Sequence, residues 1–198
     1  MSFRQPIWLL LAAFLGLSGC AHPIAISPNL GELPHTANGP PIQKKVGYYI
    51  SDADRAKMVK SPGGGGDFVE YPLYANLEPG LYRALSNVFA NVSVIKDKND
   101  IRALTDSGVS LVFTPVITTT SSSRNIAFWP PTDFSVTIVC TATDVNGKQI
   151  WETSVTGVND LTSVSTVIHD FGVTGRNASE AALRKLQKAL EDAPELRQ

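Results

Sequence analysis

The sequence predicts an α+β fold, a mixed α/β domain in which an antiparallel or mixed sheet has its helices packed on one face. Segments rich in β-branched and aromatic residues, such as 45–50 and 109–119, alternate with two segments in which leucines recur at helical spacing. The Asn146-Gly147 pair between two alternating segments is a third observation, because it is typical of a hairpin turn. A chain of 198 residues with 43% hydrophobic residues is long enough for one such domain.

The N-terminal residues 1–19 are predicted to be a lipoprotein signal peptide. Arg4 precedes an apolar run from Ile7 to Leu17, which is too short to span a bilayer comfortably. Leu17-Ser18-Gly19-Cys20 then resembles the lipobox of bacterial lipoproteins, in which the cysteine is acylated, with palmitate for example, and becomes the first residue. The resemblance implies that Cys20 is lipidated, and Ala21 after it favours the outer membrane, with the domain facing the periplasm.

Residues 20–43 are predicted to be a lipidated cysteine with a Pro-rich tether, and residues 44–198 a single periplasmic domain. The tether segment has no helical period, and its prolines favour an extended chain. Alternatively, Ile24-Ala25-Ile26 adds a short edge strand to the domain. The sequence leaves both interpretations open.

The first half of the domain is predicted to alternate between strands and helices. Asn76 is expected to cap an amphipathic helix, with Leu81, Leu85 and Val88 on its buried face. The remaining predicted elements are a strand at 45–50, hairpin arms at 57–60 and 68–71 around the glycine run 63–66, a strand at 92–95 and a brief helix ending near Gly108.

The second half begins with a strand at 109–119, where Pro115 predicts an edge position or a bulge because proline cannot donate a ladder hydrogen bond. A type I′ turn at Asn146-Gly147 would place Ile138 opposite Val155, and Cys140 would then face the core as a small hydrophobic residue. The final helix is expected to start at the capping box Asn177-Ala178-Ser179-Glu180 and to stop before Pro194.

The composition argues against nucleic-acid binding, metal binding and catalysis. The net charge is −1, so no broad basic surface is expected for a phosphate backbone. Two cysteines and three histidines give few metal ligands, and the glycine run is followed by Asp67 rather than by the Lys-Ser/Thr of a phosphate loop. His169-Asp170, the only adjacent base and carboxylate, is interpreted as loop hydrogen bonding. We therefore expect no enzyme, no cofactor and no catalytic or metal-binding residues.

The strongest interaction signal lies in the segment from Thr118 to Pro131, where hydroxyl side chains are followed by Ile126, Phe128 and Trp129. Aromatic residues held on a loop are favoured anchors of protein interfaces, so these three residues form a hypothetical partner-binding site. Alternatively, Phe128 and Trp129 fold back and close one end of the core. The segment 159–176 is also predicted to be a long polar loop.

Cys20-Ala21, followed by Ile24-Ala25-Ile26-Ser27-Pro28 and Leu33-Pro34, resembles small bacterial outer-membrane lipoproteins of the YajG type. Tyr48-Tyr49-Ile50 and the helix after Tyr74 are similar to auxiliary lipoproteins of envelope transport systems. Neither resemblance supplies a catalytic residue. The expected function is a non-enzymatic structural or accessory component of a cell-envelope assembly, with the membrane and an envelope protein as partners. The alternative is a binding module for lipid or a cell-wall fragment.

Overall fold

A computed structural model describes residues 20–33, 40–124, 128–160 and 164–198, and it has the expected α+β fold. Within these ranges, no helix is long and apolar enough to cross a membrane. The signal segment predicted for residues 1–19 lies outside the described residues.

The described residues form eight strands, five α-helices and two 3-10 turns. The strands are β1 (Ala21–Pro23), β2 (Ile42–Tyr49), β3 (Met58–Pro62), β4 (Phe68–Pro72), β5 (Phe89–Ile95), β6 (Leu111–Ser122), β7 (Asp133–Thr143) and β8 (Gln149–Asp160). The helices are α1 (Asp52–Arg55), α2 (Leu73–Val88), α3 (Ile101–Asp106), α4 (Val164–His169) and α5 (Val173–Asp192), and the 3-10 turns are Leu30–Glu32 and Pro194–Arg197.

Two sheets organise the fold. The large sheet has the order β5-β2-β6-β7-β8, in which β2 is parallel to β5 and β6 while the β6-β7-β8 pairs are antiparallel. The small sheet has the order β1-β4-β3. The long helices α2 and α5 pack against each other and against one face of the large sheet. The short helix α3 packs against the other face near β5, through a cluster of Ile95, Leu104, Val109 and Val112.

The core lies between the two long helices and the large sheet. Leu81 and Leu85 of α2 and Leu183 of α5 are fully buried there with Phe113 of β6. Cys140 is also fully buried, as the hairpin register predicted, and burial raises the pKa of its thiol to about 12. Its environment is that of a core side chain.

The β7-β8 hairpin confirms the predicted register, but the predicted turn type is wrong. Ile138 pairs with Val155, and Cys140 with Thr153. A type I′ turn needs a positive φ at two residues, whereas Gly147 alone has one here (83°), since no non-glycine residue of the described chain has a positive φ. The turn closes through a Gly147 N–H to Asp144 C=O bond, and a bulge after Ala142 restores the register.

Both long helices begin earlier than their caps predicted. Helix α2 starts at Leu73, so Asn76 does not cap it and Pro79 lies inside it, because Leu73, Tyr74 and Leu77 extend the buried stripe toward the N-terminus. Helix α5 starts at Val173, which places the predicted capping box inside the helix. It ends at Asp192, before Pro194, as expected.

Two further segments refine the sequence interpretation. Pro115 lies within β6 opposite Cys140, and β6 pairs with β2 only as far as Phe113, so the edge prediction holds for this half of β6. Two residues after Pro115 on β6, the backbone N–H of Ile117 donates a hydrogen bond to the hydroxyl oxygen of Tyr74 (3.1 Å). The long loop predicted over 159–176 is wrong for the described residues, because α4 and the start of α5 occupy most of it.

Candidate functional site

Cys20 lies at the surface, directly against the fold. Its side chain is exposed, and its carbonyl oxygen accepts a hydrogen bond from the backbone N–H of Phe68 (3.0 Å). The next residue, Ala21, begins β1, which runs parallel to β4. The residue predicted to carry the lipid anchor is therefore joined to the small sheet without a spacer.

The segment after β1 also packs on the domain rather than extending away from it. Ile26 is completely buried, and Ile24 and Leu33 are buried with it in the main core. The backbone N–H of Asn29 donates to the buried carboxylate of Glu180 in α5 (2.8 Å). Of the two interpretations of this segment, the extended tether does not apply to residues 20–33. The added strand is present, but at residues 21–23 instead of 24–26.

Trp129 joins three separate parts of the chain. Its ring stacks on the ring of His22, with centroids 4.0 Å apart and planes 13° apart, and it contacts the ring of Phe171 at 4.6 Å. Its carbonyl oxygen accepts a hydrogen bond from the N–H of Gly64 (2.9 Å) in the glycine run. Trp129 is half-buried against the core, so it follows the fold-back interpretation more closely than that of a free interface anchor.

Phe128, in contrast, is 41% exposed, and Phe171 is 42% exposed. Ile126, the third residue of the predicted partner-binding site, lies outside the described residues. We call His22, Phe128, Trp129 and Phe171 the anchor-side aromatic cluster. Sequence reasoning found Phe128 and Trp129 from their loop context, but it missed Phe171 and the contact with His22.

The glycine run holds this end of the molecule together. Gly63 has no room for a side chain, because a Cβ there would lie 2.3 Å from the Trp129 carbonyl oxygen. Gly65 and Gly66 have positive φ angles of 66° and 88°, which form the hairpin tip. Asp67 follows the run, and its Oδ2 atom lies 3.1 Å from Nε2 of the His22 ring, within hydrogen-bonding distance. The run is thus the expected hairpin tip, and it supports the cluster.

The other candidate residues do not converge. His169 is exposed at the end of α4, while the Asp170 carboxylate pairs with the Arg176 guanidinium and accepts the Gly172 N–H (3.2 Å). Among the described residues there is no group of three His, Cys, Asp or Glu side chains able to hold a metal ion. His35 lies outside the described part of the chain.

A second surface is formed by the face of the large sheet opposite α2 and α5. We call the three central rows of this face, which cross β6, β7 and β8, the open sheet face. Val116 and Val158 are 55% and 63% exposed on this face. Hydroxyl groups pair across the strands, as in Thr137 with Thr156 (2.9 Å). The rows are Val116-Val139-Ser154, Thr118-Thr137-Thr156 and Thr120-Ser135-Val158, and none of the nine residues is charged. The neighbouring row on one side contains Glu152, and the neighbouring row on the other side contains Asp133.

A shallow groove of about 430 Å³ lies at the end of the open sheet face. Hydroxyl side chains and Phe134 form most of its wall. The Oδ1 atom of Asn159, which also lines the groove, is buried without a hydrogen-bond partner among the described residues. The lining residues are Thr120, Ser121, Ser122, Asp133, Phe134, Ser135, Val158 and Asn159.

No family model matches the sequence, and no curated protein matches it. The chain is similar to several solved structures. A Xanthomonas campestris protein of family DUF330 has a TM-score of 0.49 at 12% identity, covering 86% of this chain and 91% of that one. The PelC dodecamer from Paraburkholderia phytofirmans gives 0.49 at 12% identity, with coverages of 80% and 94%. A minor lipoprotein from Acinetobacter baumannii gives 0.43 at 13% identity, with coverages of 76% and 94%. None of these similarities assigns the chain to a family.

Proposed function

We propose that this protein is an outer-membrane-anchored periplasmic lipoprotein of the YajG kind. It acts as a non-enzymatic structural or accessory component of a cell-envelope assembly through protein–protein contacts. The observation that carries the proposal is the position of Cys20. The cysteine of a lipobox-like motif is exposed, and its own carbonyl group is hydrogen-bonded to β4. An acyl group on this sulfur would hold the domain directly at the bilayer surface.

The open sheet face supports a protein as the partner. Its nine residues are uncharged, and Val116 and Val158 expose apolar surface there. A charged ligand gains little from such a face, whereas a second flat, uncharged protein surface buries valine side chains and pairs with the threonine hydroxyl groups.

The anchor is tested by mass spectrometry and fractionation. We expect the N-terminal peptide of the mature protein to begin at Cys20 and to carry acyl chains. The protein should fractionate with the outer membrane, and a Cys20→Ala variant should not. Recovery of an unmodified Cys20, or of wild-type protein in the inner membrane, would contradict the proposal.

The partner is tested by photo-crosslinking in cells from positions 116 and 158. Position 94 is the matched control, because Val94 is an exposed valine on β5, at the opposite edge of the same sheet. We expect positions 116 and 158 to capture the same envelope protein and position 94 to capture none. If all three positions give the same pattern, the open sheet face is not the contact surface.

The second candidate function is a binding module for a cell-wall fragment or lipid, and the groove favours it. The hydroxyl side chains of the groove suit the hydroxyl and amide groups of a glycan fragment. Titration with a muropeptide should then shift the NMR signals of the groove residues, and a variant with Thr120→Ala and Ser135→Ala should lose the response. A response to phospholipid alone would favour lipid, and no response to either ligand would reject this candidate.

A further inference from the structure

The position of Cys20 places the anchor-side aromatic cluster at the membrane surface. His22 follows Cys20 by two residues, and an extended chain advances at most about 3.6 Å per residue, so the two Cα atoms lie within about 7 Å. The His22 ring stacks on Trp129 at 4.0 Å. The headgroup region on each side of a bilayer is about 5–7 Å thick. A bilayer entered by acyl chains on Cys20 therefore lies close to the Trp129 ring.

The side chains of the cluster have the chemistry of a membrane interface. Phe128 and Phe171 are each about two-fifths exposed, and the half-buried Trp129 lies against Phe171. Tryptophan, with an apolar ring and a polar N–H, is enriched where hydrocarbon meets headgroups. The amine of the exposed Lys60 lies over the ring of Phe68, 4.3 Å from its centroid. Phe68 is also the residue whose backbone N–H donates a hydrogen bond to the carbonyl oxygen of Cys20. The Lys60 amine can pair with a lipid phosphate while the stem of its side chain stays on apolar surface.

The fold holds these groups in one arrangement. Trp129 is fixed by ring contacts on two sides and by the Gly64 N–H on its carbonyl oxygen. The turn that carries Phe171 packs closely on the segment after β1, since a Cβ on Gly172 would lie 2.0 Å from the Ala25 carbonyl oxygen. His22, Trp129 and Phe171 thus form one packed surface that is continuous with the anchor, and the exposed Phe128 adjoins it through the chain.

We propose that the anchor-side aromatic cluster binds the headgroup region of a phospholipid bilayer and, together with the acyl chains on Cys20, fixes the orientation of the domain on the membrane. This inference rests on the acylation in the proposed function. The bilayer is favoured over a protein partner at Phe128, because the anchor brings the bilayer to this surface in every copy of the molecule.

Tryptophan fluorescence tests the proposal in the acylated protein. Trp8 lies in the signal segment, so the mature chain retains Trp129 and Trp151. Trp151 is a matched control, because it is also half-buried but packs against Phe113 in the core region. The probes are vesicles of phosphatidylethanolamine and phosphatidylglycerol, with and without lipids brominated near the carbonyl end of the acyl chain. A Trp151→Phe variant reports Trp129 alone, and a Trp129→Phe variant reports Trp151 alone.

We expect brominated lipid to quench most of the Trp129 emission and to leave the Trp151 emission unchanged. A Phe128→Asp variant keeps the contact between Trp129 and Phe171 and should reduce the quenching, whereas Val94→Asp, an exposed control on β5, should not. Equal quenching of the two tryptophans would overturn the inference. So would Trp129 emission that responds only to an envelope protein crosslinked at position 128. Mass spectrometry of the same sample separates this failure from an absence of acylation at Cys20, which would overturn the proposed function itself.

Discussion

Replacing Ile26 with alanine tests whether the segment after Cys20 belongs to the folded domain. The Ile26 side chain is fully buried against α5, so the variant removes three carbon groups, worth roughly 0.8 kcal/mol each, from the core. The transfer contribution is then about 2.4 kcal/mol, and the residual cavity raises the expected loss of unfolding free energy toward the range of about 2–5 kcal/mol. A free tether would predict no loss.

The assay is urea denaturation of the mature chain with Cys20 replaced by serine, which keeps the protein in solution. Ala25→Ser is the control, because the Ala25 side chain is exposed and its replacement should change the free energy by less than about 0.5 kcal/mol. If Ile26→Ala costs no more than this control, residues 24–33 do not pack as described, and the short connection between anchor and domain is wrong.

A second substitution sharpens the same test. A Cβ on Gly175 of α5 would lie 2.3 Å from Cγ2 of Ile26, so Gly175→Ala should destabilise the protein despite a gain in helix propensity of about 0.8–1 kcal/mol. Removing Cγ2 with Ile26→Ala relieves this overlap. The two substitutions should therefore couple by about 0.5–3 kcal/mol, and strict additivity would contradict the packing.

Three further outcomes are expected. Cys140, with a pKa raised by burial to about 12, should resist alkylation at pH 8 until the protein unfolds, and mass spectrometry showing fast labelling of the native state would contradict its core position. Gly147→Ala should lower the free energy of unfolding by about 1–2 kcal/mol, because φ is 83° there, and an unchanged urea midpoint would argue against the turn geometry. Glu78→Gln should cost about 1–3 kcal/mol at pH 7, because Arg55 donates two hydrogen bonds to the carboxylate. These bonds hold the pKa of Glu78 below its ordinary value of 4.5. The difference in unfolding free energy between wild type and Glu78→Gln should therefore be constant above pH 4.5 and should shrink as the pH falls from there through the lowered pKa. A difference that is independent of pH from 3 to 7 would contradict the pairing.

Alternation of apolar residues predicts the observed β7-β8 register, although the turn is not the predicted type I′ turn. A slip by one residue would move Ile138 and Cys140 to the open face, which makes the register far more strongly determined than the turn. The bulge after Ala142 absorbs the extra turn residue at little cost. The strand register therefore follows from the alternation of apolar residues. The turn geometry depends instead on the Gly147 to Asp144 hydrogen bond and on the bulge after Ala142.

The starts of the long helices depend on contacts that no local pattern reveals. The sequence predicts Glu180 as part of a capping box, but its carboxylate accepts the N–H of Asn29, 151 residues away in sequence. In the candidate site, the loop context identified Phe128 and Trp129, whereas their surroundings come from His22, Gly64 and Phe171 in three other segments. Short sequence windows find the residues that carry an interaction, but the fold decides what each residue contacts.

The absence of a spacer between Cys20 and β1 restricts the partners that the proposed lipoprotein can reach. A tether of extended, proline-rich chain adds about 3 Å per residue, so residues 20–33 alone would add on the order of 40 Å of reach if they were free. Here these residues return along β4 and α5 and add none. A protein that binds the open sheet face must therefore reach the periplasmic surface of the outer membrane. Because the small sheet and the anchor-side aromatic cluster lie at Cys20, the domain should present the open sheet face in one fixed direction relative to the bilayer.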